Sequence, residues 1–421
     1  MKIIADLHLH SKYSRATSKE SDLEHFSLAA QKKGVNLLGT GDFTHPQWFK
    51  ELKEKLVPAE EGFYRLKNAS FYSGSEKEVR FVVTGEISNI YQRGGQVRRV
   101  HNLIVLPSLE AAEKINQALS WQGNLAADGR PILGLDSEEL LKLVLNLEPR
   151  ALFIPAHIWT PWFAVFGSKS GFNSLEEAFG ENAKYLAALE TGLSSDPPMN
   201  WRISALDKFA LVSNSDAHSP ANIGREANVF DFEPNYENLR ETILKKDSQH
   251  FLFTIEFFPE EGKYHYDGHR FCQVRMSPSE RQKVQGRCPV CGKPLTIGVL
   301  SRVEELADRP PDVIPPGAIP FKKLVPLKEI IADVLNCQVK TRLVETEYQN
   351  LISYFSNEFF ILLDAKFEEL SRVTSQEIAT AIIKVRMGQV ILEPGYDGEY
   401  GKVKVNQELK QTPNQEALFK Y

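Results

Sequence analysis

The chain has 421 residues, 42% of them hydrophobic, 25% charged and 10% aromatic. That balance excludes a disordered, collagenous or repeat chain and leaves room for a large catalytic unit with one or two smaller modules. The formal net charge of -5 excludes a global pull on nucleic acid, so a polyanionic partner has to be met at a local basic patch.

From residue 1 to about 235, short apolar runs alternate with amphipathic stretches. KIIADLHLH, VNLLGTGDF, RFVVTGEI, VHNLIVLP, ALFIPAHIW, YLAALETG and FALVSNSDAH each read as a strand ending in polar residues. Between them, SDLEHFSLAAQKKG predicts a helix opened by Ser21 and stopped by Gly34, and DSEELLKLVLNL one opened at Asp136 or Ser137. Strand and helix in alternation imply parallel pairing in an α/β barrel or related closed sheet, with active-site residues at the C-terminal strand ends. The opening MKIIADLHLH turns polar at Asp6 and no apolar run is long enough to cross a bilayer. The expected setting is therefore cytoplasmic, with no membrane partner.

Residues 236–262 read as a connecting segment. The next stretch, 263–302, carries Lys263, Arg270, Arg275, Arg281, Lys283, Arg287, Lys293 and Arg302 against Asp267 and Glu280, a local excess of +6 in an acidic chain. A Pro-rich passage follows over 303–326 and reads as a stiff linker. From 327 the spacing is helical through LKEIIADVLN, YQNLISYFSNEFFILL and SQEIATAIIKVRMG, and PGYDGEYGKVKV then gives two Gly-rich turns and a strand-like run. The last dozen residues are polar and read as a mobile tail. There is no internal repeat.

The first 220 residues place His8, His10, Asp42, His45, Glu86, His101, His157, Asp216 and His218 at or near strand ends. Residues i and i+2 of a strand share a face, so His8 with His10, and Asp216 with His218, form two-pronged ligands. Convergence at one rim of a barrel would gather all of them into a polynuclear metal site. Imidazole and carboxylate without thiolate suit zinc, manganese or iron; magnesium remains open as well.

These residues also carry a resemblance. DLHLHSKYS, TGDFTHP, TGEI, the separate His101 and His157, and NSDAHSP are similar to the successive motifs of the PHP (polymerase and histidinol phosphatase) metallophosphoesterases. The resemblance implies a distorted (β/α)7 barrel with up to three clustered metals. It assigns His8, His10, Glu86 and Asp216 to one metal, with Glu86 bridging to a second held by His101 and His157, and Asp42 and His218 to a third. Ala16 stands where the family usually has a histidine, and GDF replaces the usual TDH, with His45 close by as a substitute ligand. Clustered divalent cations imply hydrolytic phosphoryl cleavage by metal-activated water. Glu190 in ALETG and Asp196 in LSSDPP follow a sixth strand and are candidates for ligating metal or handling the proton.

His269, Cys272, Cys288 and Cys291 stand as HxxC, fifteen residues and CPVC, a spacing suited to a closed tetrahedral zinc. His265 and Cys337 are alternatives for the fourth ligand. A barrel followed by YHYDGHRFC, CPVCGKPLTIGVLSRVEELADRP and a helical end with PGYDGEYG resembles the endonuclease Q family over essentially the whole chain. That resemblance implies a barrel, a small zinc-binding module and a mainly helical C-terminal region, 327–421, for lesion recognition. It further implies cleavage of DNA 5′ of uracil, hypoxanthine, xanthine or an abasic site, leaving 3′-OH and 5′-phosphate. DNA carrying such lesions is the implied substrate, and replication or repair proteins are candidate partners. Arg93, Arg98 and Arg99 before His101, and Arg225 in NIGREAN, are candidate phosphate contacts. Trp159, Trp162 and Phe163 in IWTPWFAVF are candidates for stacking on an exposed base. A small-molecule phosphatase or a nonspecific nuclease on the same barrel would account for only the first 235 residues.

Overall fold

The computed structural model describes residues 1–71 and 78–405. Its strands are β1 (Lys2–Asp6), β2 (Leu37–Gly39), β3 (Arg80–Arg93), β4 (Gln96–Leu106), β5 (Leu152–Pro155), β6 (Ala188–Glu190), β7 (Ala210–Val212), β8 (Ala227–Asp231), β9 (Phe251–Glu256) and β10 (Phe321–Lys323), with shorter ones between and after them. Pairing is parallel for β1 with β2, β2 with β3 and β6 with β7. It is antiparallel for β3 with β4, β4 with β5, β1 with β8 and β8 with β9. The expectation of parallel strands throughout is thus corrected to a mixed sheet. The cause is local: β3 and β4 are joined by Gly94 and Gly95, with φ of 61° and 74°, a link far too short for the crossover that parallel strands need.

The sheet curls back towards its start. The Ala187 N–H donates to the Phe153 carbonyl at 3.0 Å, joining β6 to β5, and a bridge between Leu9 and Ala217 joins the end of β7 to the continuation of β1. Helices cover the outside. Asp22, rather than Ser21, caps the helix Leu23–Lys33 by accepting from the His25 N–H, and Gly34 ends it at φ 89°, a conformation that glycine adopts without Cβ strain. Asp136 caps Ser137–Leu147.

Two segments expected to be connectors belong to the sheet. Within 236–262, Tyr236–Leu244 forms a helix and β9 pairs with β8, because Phe251 and Ile255 are buried. Within 303–326, β10 pairs in parallel with β9, from Thr254 against Phe321 to Glu256 against Lys323. Between them, 263–302 folds as a hairpin (Asp267–His269 with Val274–Met276) and the helix Pro278–Lys283. Arg302 there reaches the carbonyls of Phe166 and Phe172 at 3.1 and 3.0 Å, fastening this segment to the loop after β5.

The C-terminal part is helical over Leu327–Val334, Arg342–Phe355, Glu358–Leu363, Phe367–Leu370 and Gln376–Arg386. Leu327, Ile330, Leu351, Ile352, Ile361 and Ile382 are buried in its interior. It docks on the barrel through Glu358, which accepts from Lys33 Nζ at 2.9 Å, the Leu327 N–H at 2.9 Å and the Tyr348 hydroxyl at 2.9 Å. No helix among the described residues is long and apolar enough to cross a membrane. The tail expected after the last strand lies outside the described residues.

Candidate metal centre and nucleic-acid cleft

Strand parity decides where the polar residues collect. Val82, Thr84 and Glu86 share one face of β3; Val105, Leu103 and His101 one face of β4; Ala188 and Glu190 one face of β6. Along β7 and beyond, Ala210, Val212, Asn214 and Asp216 continue the same alternation. The apolar members belong to one buried cluster, and the polar members follow them towards one mouth of the barrel. β1 departs from this rule. Ile3, Ala5 and Leu7 join the apolar cluster, yet the histidines sit at 8 and 10, because the regular strand ends at Asp6. Beyond it the backbone pairs with the segment after β7, His10 N–H to Ala217 carbonyl at 3.0 Å and Ala217 N–H to His8 carbonyl at 3.3 Å, which carries both rings to Asp216.

Glu86 stands at the centre. Its Oε1 lies 2.8 Å from His101 Nδ1 and 3.0 Å from His157 Nε2; its Oε2 lies 3.5 Å from His8 Nε2 and 3.3 Å from His10 Nε2. Asp216 Oδ1 completes the second group, 3.0 Å from His10 Nε2. In each set, His8, His10, Glu86 and Asp216 on one side and Glu86, His101 and His157 on the other, the ligand atoms lie within 4.8 Å of one another. A cation fits this donor set. His8 Nε2, His10 Nε2 and Asp216 Oδ1 are buried and crowd against one another and Glu86 without a well-formed hydrogen bond, an arrangement that is costly unless another group engages them.

A second layer fixes the tautomers. Glu190 is buried behind His8 and accepts from its Nδ1 at 3.0 Å, from the His157 backbone N–H at 2.8 Å and from Asn214 Nδ2 at 2.8 Å. Asp42 does the same for His10, with Nδ1 at 3.0 Å, the Ser11 N–H at 2.7 Å and the Ser14 hydroxyl at 2.8 Å. Each carboxylate holds a proton on Nδ1 and leaves Nε2 free to ligate. Burial opposes charge on His8 and His10, but Glu190 and Glu86 around the first, and Asp216, Asp42 and Glu86 around the second, raise both well above the ordinary imidazole range. Burial alone would raise Glu86, but His101, Arg130 and His8 hold it well below the usual carboxylate range. Burial pushes His101 down to about 4, against the pull of Glu86. A bound cation would replace the imidazole protons, so affinity rises with pH.

Several expected site residues take other roles. Asp42 and Asp216 have φ of 48° and His157 of 31°; this left-handed backbone costs on the order of 1–2 kcal/mol per residue and breaks the strand alternation. Consequently Asp42 backs His10, and His218, although its Nδ1 lies 3.6 Å from Asp216 Oδ1, is in neither ligand group. The His218 Nδ1 lies 2.9 Å from the Asp216 carbonyl, and its ring packs 4.5 Å from that of His10. His45 caps the helix Pro46–Lys55 by accepting from the Trp48 N–H and stacks on Tyr13. A third ligand group around Asp42, His45 and His218 is therefore not assembled among the described residues. Asp196 is corrected to a helix cap: it accepts from the Met199 N–H at 3.0 Å and pairs with Lys323 at 2.6 Å.

Arg130 was not foreseen, because no motif marks it; its Nη1 donates to Glu86 Oε2 at 2.9 Å. Among the arginines that were foreseen, Arg93 is tied to Asp136 at 3.2 Å, Glu138 at 2.9 Å and the Ala178 carbonyl at 2.9 Å. Arg98 donates to the Gly171 carbonyl and lies 4.2 Å over the Phe172 ring. Both brace the barrel. Arg99 lies over Phe163, which packs on His101, and Arg225 donates to the Ser215 carbonyl at 3.0 Å, beside Asp216. Trp159 is buried and donates to Asn200 Oδ1 at 2.8 Å, which removes it as a stacking surface. Trp162 is 36% exposed. With Tyr264, 5.3 Å from it edge to face, it lines a cleft of about 580 Å³ that also includes Thr160, Arg225, Phe257, Glu261 and Glu329. Thr160 ties this cleft to the metal centre, its hydroxyl 3.2 Å from His157 Nδ1.

In the basic segment His269, Cys272, Cys288 and Cys291 converge with ligand atoms within 4.8 Å of one another. Gly292, at φ 70°, lets its N–H turn back to the Cys288 carbonyl at 2.8 Å and closes the knuckle. The alternatives lie elsewhere: His265 stacks on Tyr266, and Cys337 Sγ lies 3.4 Å from the Thr341 hydroxyl. Four protein ligands would leave no open position, which suits a structural ion.

The chain matches the crystal structure of PfuEndoQ, a lesion-specific endonuclease from Pyrococcus furiosus, at 31% identity and a TM-score of 0.85, covering 98% of this chain and 98% of that one. It matches endonuclease Q in complex with a 27-mer duplex bearing an abasic lesion at the active site, at 30% identity and a TM-score of 0.83, over 97% of this chain and 99% of that one. The protein YqxK of Bacillus subtilis is 28% identical over 423 residues, 96% of this chain and 99% of its own length. MJ0043 of Methanocaldococcus jannaschii is 32% identical over 253 residues, 58% of this chain, and the match spans 31% of that protein. Residues 326–389 match the family described as the MJ0043 C-terminal domain.

Proposed function

Since this chain belongs to the endonuclease Q family, we propose that it is a metal-dependent DNA-repair endonuclease that cuts 5′ of uracil, hypoxanthine, xanthine or an abasic site, leaving 3′-OH and 5′-phosphate. The observation that carries the chemistry is Glu86, one oxygen facing His101 and His157 and the other facing His8 and His10. Divalent cations held there would lower the pKa of a bound water and neutralise charge on a phosphodiester. Glu190 and Asp42 position the two imidazoles of DLHLH, and Thr160 does so for His157. Neither Glu190 nor Asp196 acts as general acid or base in this reading, since the carboxylate of each is already engaged with buried donors or Lys323.

The cleft beside His157 supports recognition of an extruded nucleotide. The edge that distinguishes a deaminated base is covered in a paired duplex, so reading it calls for flipping, at a few kcal/mol that is smaller for a mispaired base. Trp162 and Tyr264 offer aromatic faces, and Arg225 and Glu261 offer polar atoms. In this reading the four-ligand group of 263–302 holds one structural zinc, and that segment and the helical part of the chain form the walls that a bare phosphoesterase barrel would lack. The test is cleavage of duplexes carrying one uracil, hypoxanthine, xanthine or abasic site, against an undamaged duplex, with Asp216→Ala as control. Selective cutting by the wild type alone is expected. Equal cutting of undamaged DNA, or hydrolysis of only small phosphate esters, would point instead to a nonspecific nuclease or a phosphatase.

A further inference from the structure

Arg130 flanks the metal-ligand group without belonging to it, and the backbone fixes its approach. Ile132 and Leu133 pair in parallel with Ser88 and Asn89 of β3, and the Ser88 N–H donates to the Pro131 carbonyl at 3.0 Å. Residue 130 therefore falls beside residue 86. Gly129 permits this closeness, because a Cβ there would lie 2.2 Å from Asp42 Oδ2 and 2.3 Å from Ser14 Oγ.

The Arg130 Nη1 donates to Glu86 Oε2, the oxygen that faces His8 and His10, at 2.9 Å, while its side chain stays 25% exposed. Its Nε and Nη2 donate to nothing among the described residues. A permanent cation beside the ligands of divalent ions weakens their binding through Coulomb repulsion. That placement makes chemical sense when an anion comes to lie among the charges. The planar guanidinium fork matches phosphate oxygens, and a side chain that keeps a quarter of its surface exposed can offer its remaining donors to one.

We propose that Arg130 is a phosphate-binding catalytic residue of this site. Its free N–H groups hold a non-bridging oxygen of the scissile phosphodiester and stabilise the charge that grows there as water attacks phosphorus and the P–O bond to the leaving oxygen breaks; the guanidinium keeps its protons throughout. The inference rests on the reading of the site as a metal-dependent phosphodiesterase.

The test uses full-length wild type, Arg130→Ala and Arg130→Lys. Three quantities are measured: metal content, affinity of the metal-loaded protein for inorganic phosphate, and single-turnover cleavage of an abasic duplex with each phosphorothioate diastereomer at the scissile position. Arg130→Ala should keep its metal, bind phosphate at least about tenfold more weakly and cut about 100-fold more slowly. Arg130→Lys should recover only part of the rate, and added guanidinium ion should partly rescue the alanine variant. One diastereomer should shrink the gap between variant and wild type, because sulfur accepts the hydrogen bond poorly. Unchanged phosphate affinity, or metal lost in step with activity, would overturn the proposal. If the wild type cut no DNA the endonuclease reading would fall, while the phosphate titration would still decide the role of Arg130.

Discussion

Replacing Glu190 with glutamine separates positioning from proton transfer. Glu190 is fully buried and spends its two oxygens on His8 Nδ1, the His157 N–H and Asn214 Nδ2. Gln retains one acceptor but turns an NH2 towards a donor, and an unsatisfied buried donor costs about 1–3 kcal/mol. The same change releases His8 from the tautomer that leaves Nε2 free. Loss of such an outer partner typically costs about 10–100-fold in metal affinity, consistent with that range at about 1.4 kcal/mol per tenfold. A chelator competition measures the affinity, and cleavage of a lesion duplex is followed against metal concentration. Activity of Glu190→Gln should need about 10–100-fold more metal and then plateau within a few-fold of wild type. A collapsed plateau with unchanged metal affinity would refute this reasoning and restore a direct proton-handling role.

Cys288→Ser should release one equivalent of zinc, measured by elemental analysis, and expose 263–302 to protease, since a structural ion contributes folding energy directly; unchanged zinc and unchanged proteolysis would count against the assignment. Trp162→Ala should weaken binding of a uracil duplex by about 1–3 kcal/mol, the usual worth of a base stacked on an aromatic ring, with less effect on an abasic duplex, which has no base to stack, and little on undamaged DNA; fluorescence anisotropy on the three duplexes checks it. Burial, with Glu329 and Glu260, pushes the Glu261 carboxyl up to about 8, against the opposing pull of Arg225. Because the folded pKa lies above the ordinary value of 4.5, the folded protein keeps a proton that the unfolded chain releases, and the associated stability is lost as pH rises from about 4.5 to about 8. Glu261→Gln should therefore flatten the fall of Tm across that window, and an unaltered slope would contradict it.

What the sequence could disclose follows from how each residue reaches the site. His8, His10, Glu86, His101, His157 and Asp216 stand at strand ends in recognisable motifs, and CPVC announces a metal knuckle by spacing alone, so the groups they form were readable. Arg130 arrives through the register of a two-residue strand and the missing side chain of Gly129, neither of which leaves a pattern. Strand alternation alone pairs Asp216 with His218, but it does not carry through the left-handed backbone at Asp42 and Asp216, so where the side chains of Asp42 and His218 lie is read only from the fold. Trp159 and Trp162 lie three residues apart in one irregular loop, and only the fold shows that the first is core and the second lines a cleft. The GG pair between β3 and β4 is a hairpin signal, but the wider strand and helix rhythm points to parallel crossovers, and only the fold shows that the local signal decides.

The central claim is that the buried carboxylate and imidazole group binds divalent cations that cut DNA beside a lesion. Its most direct test strips the protein with a chelator, verifies the metal loss by elemental analysis, and restores zinc, manganese or magnesium stepwise with duplexes carrying one abasic site, one uracil or no lesion. Product ends are mapped at nucleotide resolution. The account predicts no cleavage without cation and, on restoration, a single cut 5′ of the lesion with 3′-OH and 5′-phosphate ends and an intact undamaged duplex. Cleavage by the metal-free protein, or restored cleavage that ignores the lesion, would contradict it.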